Sequence, residues 1–259
     1  MADPTRRFSD RVADYVRFRP GYPPAVVDLL MTACGLTPAW IVADIGAGPG
    51  NLSRLFLDHG NPVVAVEPNR EMREAGERLL GAHPRFRAVA GRAEVTGLPN
   101  RSVDLVVAGQ AFHWFDRAAA KAEFARILQP PGRTVLVWNE RRTGGTPFLE
   151  AYERLLLAHG TDYAAVRHQD VADDVAIAAF FAPAGFEKSR FDNLQTFDLA
   201  GLTGRLLSSS YAPQAGQPGH AAMLADLAEI FARHQENGRI AFPYDTTVYV
   251  GRLLPEGAG

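Results

Sequence analysis

The glycine-rich turn over residues 44–50 is the feature that most constrains how this chain folds. It lies between an apolar run typical of a buried strand and residues 51–59, which have helical spacing; its sequence is Asp44-Ile45-Gly46-Ala47-Gly48-Pro49-Gly50. A strand, a glycine turn and a helix N-terminus together form a nucleotide or cofactor site, because glycine lets a ligand approach the backbone. The pattern therefore predicts that this turn contacts a cofactor.

Two acidic residues indicate which kind of ligand the turn binds. A dinucleotide fingerprint beginning at Gly46 needs glycine at position 51, where the chain has Asn51. An anionic Asp44 repels a pyrophosphate but suits a cationic amino-acid group. Glu67 ends a β-branched run about 20 residues after Gly46, the spacing at which an acidic residue accepts hydrogen bonds from ribose hydroxyls. Adenosine carrying a charged amino acid, as in S-adenosylmethionine, fits this pattern.

Three further motifs follow the glycine turn in order along the chain. They are Glu67-Pro68, Gly91-Arg92-Ala93-Glu94 before Leu98-Pro99, and the run Asp-Leu-Val-Val-Ala-Gly-Gln-Ala over residues 104–111. With the glycine turn, they resemble the motifs of the class I S-adenosylmethionine-dependent methyltransferases. The resemblance implies a single methyltransferase domain over residues 1–259, with S-adenosylmethionine as cofactor and S-adenosylhomocysteine as product.

Strands that alternate with helices predict an α/β fold with a doubly wound sheet. Strands are expected near residues 40–45, 62–67, 86–90, 103–108 and 134–139, within a cofactor-binding core over 36–140. The resemblance implies a seven-stranded Rossmann-like methyltransferase sheet whose last strand is antiparallel. Ligands of such sheets lie outside the carboxyl ends of the strands, which is where the motif residues fall.

The pattern changes after residue 140. Helical spacing over 141–185 and 200–236 predicts an inserted helical cap over the substrate, including one helix over 202–211. Residues 186–197 and 240–253 are β-prone and predict a pair of antiparallel C-terminal edge strands. Residues 129–132, Gln-Pro-Pro-Gly, predict a turn before the fifth strand.

The resemblance also assigns residues to the cofactor. It implies that the N-terminal lead-in, residues 5–22, folds over the cofactor as a lid, with Arg19 pairing with the methionine carboxylate. Ala93 and Glu94 then contact adenine, although a solvated loop glutamate and a solvated surface arginine are the plainer alternatives. The full expected cofactor set is Tyr15, Arg19, Tyr22, Asp44, Gly46, Ala47, Gly48, Gly50, Glu67, Pro68, Met72, Ala93, Glu94, Gln110 and Ala111.

The loop after the fourth strand, residues 110–116, is the predicted catalytic segment. Its Gln110-x-x-His113-Trp114 pattern resembles small-molecule methyltransferases of the trans-aconitate methyltransferase group. The resemblance implies either that Trp114 and Gln110 hold a substrate carboxylate or that His113 acts as a general base toward a hydroxyl or nitrogen. Packing of His113 and Trp114 beneath the cap is the alternative.

Two further groups are weaker candidates for the substrate side. Arg141 and Arg142 follow the fifth strand and suit an acidic substrate, but as neighbours they also suit a solvated charge cluster. The run Ser208-Ser209-Ser210-Tyr211 either lines the pocket or simply ends a helix.

Composition and net charge limit the kinds of molecule that the chain is expected to bind. A formal net charge of −2 over 259 residues favours neither nucleic acid nor an anionic membrane, and no apolar run is long enough for a transmembrane helix. One cysteine and scattered histidines indicate no metal site. We therefore expect a cytoplasmic protein, a monomer or homodimer, that acts on a small-molecule substrate.

Two other functions remain as alternatives. An NAD-dependent oxidoreductase is disfavoured by Asn51, by Asp44 and by the lack of a Tyr-x-x-x-Lys motif. A catalytically inactive S-adenosylmethionine-binding regulator or scaffold stays open, because methyl transfer needs no dedicated catalytic side chain.

Overall fold

The computed structural model describes residues 16–166 and 173–253. Tyr15 and the first part of the predicted lid lie outside these residues. Within them, seven strands form one sheet in the order β3-β2-β1-β4-β5-β7-β6. The strands are β1 (Val42–Ile45), β2 (Val63–Val66), β3 (Phe86–Val89), β4 (Val103–Gly109), β5 (Leu128–Arg141), β6 (Phe186–Phe197) and β7 (Ile240–Gly251).

The direction of the strands confirms the fold class expected from the sequence. Strands β1 to β5 are mutually parallel, and β7 runs antiparallel to both β5 and β6. β7 lies between β5 and β6, so of the two predicted edge strands only β6 is at the edge. The sheet is the doubly wound seven-stranded Rossmann-like sheet with an antiparallel last strand.

Several helices begin at a residue whose side chain caps the first turn. Asn69 accepts a hydrogen bond from the Met72 N–H (2.8 Å), and Asp116 accepts from the N–H groups of Ala118 and Ala119. The helices are α1 (Ala25–Cys34), α2 (Asn51–His59), α3 (Arg70–Leu80), α4 (Arg117–Ile127), α5 (Pro147–His159), α6 (Tyr163–Val166), α7 (Asp174–Phe181), α8 (Leu199–Leu207) and α9 (His220–His234), with a 3₁₀ turn at Phe112–Trp114.

Both faces of the sheet are covered, which explains why its parallel strands read as continuous apolar runs. Ala43 and Ile45 face a cluster with α4 and α7, whereas Val42 faces a cluster with α1 and α2. A third apolar cluster joins α5, α8 and α9 to the ends of β6 and β7. We call this third cluster the cap. The sequence predicts a cap over residues 141–185, but α7, which lies in this range, packs on the sheet and is not part of the cap.

Two predicted elements differ from the structure. β5 starts at Leu128 rather than 134: Val103 pairs with Leu128 and Leu105 with Arg133, so the predicted turn at 129–132 is an irregularity inside the strand. The helix predicted over 202–211 is α8, Leu199–Leu207. It begins earlier because Asp198 accepts a hydrogen bond from the Gly201 N–H at 2.7 Å, and this cap was overlooked in the sequence.

The described part of the lead-in, residues 16–22, docks against the cap and the sheet. The Gly21 carbonyl accepts hydrogen bonds from the side chains of Asn139 (3.0 Å) and Asn193 (2.9 Å). On α8, a Cβ built at Gly204 would lie 2.1 Å from the Phe18 ring. The absence of a side chain at Gly204 therefore lets the lead-in pack directly on the helix.

Gly204→Ala tests this docking. The added methyl group displaces the Phe18 ring, so amide hydrogens of residues 16–22 should exchange faster, as mass spectrometry of the peptide would detect. Thr203→Ala is the matched control, because it also places alanine on α8 but leaves the Phe18 contact in place. Equal exchange in the wild type and Gly204→Ala would contradict the docking.

Candidate active site

A cavity opens at the carboxyl ends of β1, β2, β4 and β5, between the sheet and the cap. The structure brings most of the expected cofactor residues together there. Those that line it are Arg19, Tyr22, Asp44, Gly46, Ala47, Gly48, Glu67, Pro68, Met72, Ala93, Glu94, Gln110 and Ala111. Tyr15 lies outside the described residues, and Gly50 does not line the cavity.

The glycine turn uses its glycines for two different purposes. Gly48 has φ +56°, and a Cβ built on it meets no atom within 4 Å, so its missing side chain leaves space for a ligand. Gly50 has φ +91°, and a Cβ there would lie 2.5 Å from the Leu80 Cδ1 atom. The missing side chain of Gly50 therefore makes room for Leu80 in the packing of α2 against α3, and its contact with the cofactor stays a prediction.

Asp44 is fully buried at the end of β1. Its Oδ2 atom accepts a hydrogen bond from the Ser53 hydroxyl at 2.6 Å, and Oδ1 has no partner among the described residues. Burial, together with the nearby Glu67 charge and against the opposing hydrogen bonds from Ser53, raises the pKa of Asp44 to about 7. A cation placed beside Oδ1 would stabilise the ionised form and satisfy the orphaned oxygen.

Glu67 is the buried acid at the end of β2. Its Oε2 atom accepts from the Gly48 N–H and its Oε1 atom from the Asn69 N–H, both at 2.8 Å. Burial raises the pKa of Glu67, against the lowering effect of these two bonds. Each carboxylate oxygen has a second lone pair, so the side chain is held in place and still able to accept from two hydroxyls.

Glu94 connects the loop after β3 to the start of α4. One of its oxygens accepts from the Asp116 N–H at 2.9 Å, and the other lies 3.5 Å from the Arg92 Nε atom. The side chain is 21% exposed, which rules out the freely solvated glutamate. Ala93, beside it, is buried. The two residues form the wall where the sequence analysis expects adenine.

The opposite wall is the segment after β4. Phe112 is buried against Phe180, with ring centroids 4.9 Å apart, and so anchors the 3₁₀ turn. The half-buried rings of His113 and Trp114, 4.6 Å apart, both line the cavity. Both side chains are therefore accessible from the cavity, and their role toward a substrate stays a prediction.

Gln110 has a strained backbone at this position. Its φ of +56° is in the left-handed region, which costs a residue with a Cβ about 1–3 kcal/mol. The Gln110 N–H donates to the Val137 carbonyl (2.9 Å) and its side-chain amide to the Asn139 carbonyl (2.7 Å). These bonds to β5 hold the strained conformation, and strain of this kind is concentrated at functional sites.

The cap contributes residues that the sequence analysis did not select. Arg205 from α8 and Tyr244 from β7 line the cavity, together with Asn139, Ser210 and Tyr211, which were at most weak candidates. A signal for Arg205 exists in the sequence: it lies beside Leu202 and Leu206 on the apolar face of α8, where a charge needs an explanation.

Arg141 and Arg142 do not line the cavity. Arg141 pairs with Glu153 and donates to the Tyr163 hydroxyl, while Arg142 pairs with Asp192 and Asp245. Their charges are already compensated by carboxylates, and the structure does not support a role for them in binding an acidic substrate.

The described residues form neither a metal-binding cluster nor a membrane-spanning helix. No group of three or more histidine, cysteine, aspartate or glutamate side chains within residues 16–166 and 173–253 has a geometry suited to a metal ion. Over the same residues, every helix is too short or too polar to span a membrane.

Known proteins similar to this chain are methyltransferases. Residues 43–136 match the family model described as a methyltransferase domain. An uncharacterized methyltransferase of Mycobacterium tuberculosis is 43% identical over 139 residues, which cover 54% of this chain and 54% of that protein. Another from Schizosaccharomyces pombe is 34% identical over 152 residues, covering 58% and 59%. The chain thus spans little more than half the length of the curated relatives it matches.

A solved structure extends the likeness beyond the core. A candidate type II methyltransferase from Anaeromyxobacter dehalogenans is 25% identical to this chain, with a TM-score of 0.68, and the alignment covers 92% of this chain and 100% of that one. The strand order, the family model over residues 43–136 and this neighbour agree, and the chain is similar in sequence and fold to class I S-adenosylmethionine-dependent methyltransferases.

Proposed function

We propose that the protein is an S-adenosylmethionine-dependent methyltransferase that transfers a methyl group to an oxygen or nitrogen of a small organic molecule. The observation that carries this proposal is the pair of buried carboxylates, Asp44 and Glu67, which line the cavity beside a glycine turn open to a ligand. A cationic amino acid joined to a ribose matches these acceptors, whereas a pyrophosphate does not. The net charge of −2 favours a small substrate over nucleic acid, and we also propose a cytoplasmic location.

The described residues fit the cofactor in a specific arrangement. Glu67 binds the ribose hydroxyls, and Asp44 faces the cationic amino-acid end through its unpartnered oxygen. Ala93 and Glu94 bound the adenine, and Arg19, which also lines the cavity, pairs with the carboxylate. When bound, S-adenosylmethionine supplies a methyl group on a positively charged sulfur, which is already activated for displacement.

The protein's own part in the reaction is alignment and proton handling. The acceptor atom must approach the methyl carbon in line with the carbon–sulfur bond, and a cavity closed by the cap and lead-in excludes competing water. A new carbon–oxygen or carbon–nitrogen bond forms as the carbon–sulfur bond breaks. For a hydroxyl or protonated nitrogen, His113 accepts the proton; for a carboxylate, Trp114 and Gln110 orient the oxygen.

The contacts of the lead-in support the proposal that this segment forms a lid over the site. The structure describes only residues 16–22 of it, and they contact α8 through Phe18 and through an Arg19 hydrogen bond to the Ser208 carbonyl at 3.2 Å. On this proposal, the Gly204→Ala variant that loosens the lead-in also binds S-adenosylhomocysteine more weakly.

The choice of cofactor is tested by calorimetry. The wild type should bind S-adenosylhomocysteine and show no heat with NAD. Glu67→Ala should weaken binding by about 1–3 kcal/mol through the lost ribose hydrogen bonds. Gly48→Val should weaken it further, because the new side chain enters the open space at φ +56°. NAD binding without any response to S-adenosylhomocysteine would instead favour an oxidoreductase.

The pH dependence of binding tests the role of Asp44. With a pKa of about 7 in the free protein, Asp44 is mostly protonated at pH 6 and mostly ionised at pH 8. A cationic ligand favours the ionised form, so affinity for S-adenosylhomocysteine should rise about tenfold between these pH values. In Asp44→Asn the affinity should be lower and this rise should vanish; an unchanged rise would assign the titration to another group.

Single-turnover rates at saturating cofactor distinguish the two catalytic hypotheses. For a hydroxyl or nitrogen acceptor, His113→Ala should lower the rate about 10²–10⁴-fold, the range for a lost general base. For a carboxylate acceptor, Trp114→Phe should be the more damaging change, because it removes the indole N–H but keeps the ring. Both variants should retain their affinity for S-adenosylhomocysteine; normal rates in both would place the acceptor elsewhere.

A further inference from the structure

Arg205 is a buried arginine in the wall of the cavity formed by the cap. Its side chain is 4% exposed. Its Nε atom donates to the Tyr244 hydroxyl at 2.8 Å, and its Nη1 atom donates to the Ser209 hydroxyl at 3.0 Å. The guanidinium also lies 5.6 Å from the ring centre of Phe242. All of these partners are electrically neutral.

Arg141 is a second buried arginine and differs from Arg205 in one respect. Its side chain is 9% exposed and is paired with the Glu153 carboxylate. Among the described residues, no carboxylate lies within ion-pair distance of Arg205, and its Nη2 atom donates no hydrogen bond. Arginine stays protonated in proteins, so a full positive charge is buried there without a negative one.

A buried charge of this kind is costly unless something compensates it. Two hydroxyls and two aromatic rings soften the penalty, but an ionised group normally needs an opposite charge as well. The carboxylates of Asp44, Glu67 and Glu94 line the same cavity, yet they are bound at the ends of β1 and β2 and on the loop after β3. The positive charge of Arg205 therefore lacks a negative partner, and an anion in the cavity, on the side of the cap, would supply one.

We propose that Arg205 binds a carboxylate or phosphate group of the acceptor, so that the enzyme methylates small anionic molecules. This inference rests on the proposed methyltransferase function and names its substrate class. The planar guanidinium suits both groups, because it donates two parallel hydrogen bonds to adjacent oxygens. Tyr211 and Trp114, in the same cavity, supply flat apolar surface for the remainder of the molecule.

The first test uses the substrate pool. A small-molecule extract is separated on an anion-exchange resin at pH 8, and the retained and unretained fractions are each incubated with the wild type and S-[methyl-³H]adenosylmethionine. Label should transfer to the retained, anionic fraction. Transfer to the unretained fraction alone, or equally to both, would overturn the proposal. Transfer to neither, with S-adenosylhomocysteine still bound in calorimetry, would overturn the proposed function itself.

Phosphatase treatment of the retained fraction identifies the anion. Loss of the acceptor after treatment assigns the charge to a phosphate, and survival of the acceptor assigns it to a carboxylate. Either result supports binding of an anion by Arg205.

The second test uses variants on the retained fraction. Arg205→Lys keeps the charge but loses the paired hydrogen bonds, and Arg205→Met loses both. We expect KM for the anionic acceptor to rise about 10-fold or more in Arg205→Lys and about 100-fold in Arg205→Met, the range for charge-assisted hydrogen bonds. Affinity for S-adenosylhomocysteine should stay at the wild-type value and verifies folding. Arg190→Met, an exposed arginine on β6, is the control and should leave KM unchanged.

The result that overturns the proposal is a wild-type KM for the anionic acceptor in Arg205→Lys or Arg205→Met with intact cofactor binding. A fall in kcat alone would also overturn it, because that result assigns Arg205 to the structure of the cap rather than to the acceptor. Should Arg205→Met not fold, the Arg205→Lys measurement decides by itself.

Discussion

The hydrogen bond from the Gly48 N–H to Glu67 is the interaction on which the site depends. It joins the turn after β1 to the acid after β2, two segments that are neighbours only because their strands pair in the sheet. The second oxygen of Glu67 binds the Asn69 N–H, and Asn69 in turn caps α3. The buried carboxylate of Glu67 thus holds the glycine turn in place and links it to the start of a helix.

The register of the parallel strands extends this arrangement across the sheet. Asp44 pairs with Ala65 on one side and with Val107 on the other, so the segments after β1, β2 and β4 emerge at one edge. Gln110 then turns sharply, with φ +56°, and carries His113 and Trp114 over that edge. The apolar clusters on both faces hold these strands rigidly, which lets short loops present polar groups accurately.

The sequence predicts which residues after β1 and β2 meet at the cavity because their signals are local. A glycine turn, an acid at the end of a β-branched run and an asparagine cap are each readable within a few residues. The packing role of Gly50 could not be predicted, because in sequence a left-handed glycine that faces a ligand cannot be told from one that, as here, faces the Leu80 side chain. Only the position of α3, which carries Leu80, distinguishes a packing role from a ligand contact.

The substrate side was harder to predict because its residues come from distant parts of the chain. Arg205, Tyr244 and Asn139 converge only after β7 has inserted between β5 and β6. The hydrogen bond of Arg205 to Tyr244 joins residues 39 positions apart, and that of Asn139 to Gly21 joins residues 118 positions apart. No spacing rule encodes such pairs. The one feature of the sequence that could have pointed to Arg205 was the presence of a charged residue on the apolar face of a helix.

The resulting cavity has an unequal distribution of charge, and this distribution suits the proposed chemistry. Asp44 and Glu67 supply negative charge near the glycine turn, and Arg205 supplies positive charge from the cap. A cationic methyl donor and an anionic acceptor would each be drawn to the opposite end. When a methyl group moves from a sulfonium to an anion, both charges are neutralised, and surroundings of low polarity favour a reaction that removes charge. The aromatic side chains of Trp114 and Tyr211, which line the same cavity, contribute apolar surface to these surroundings.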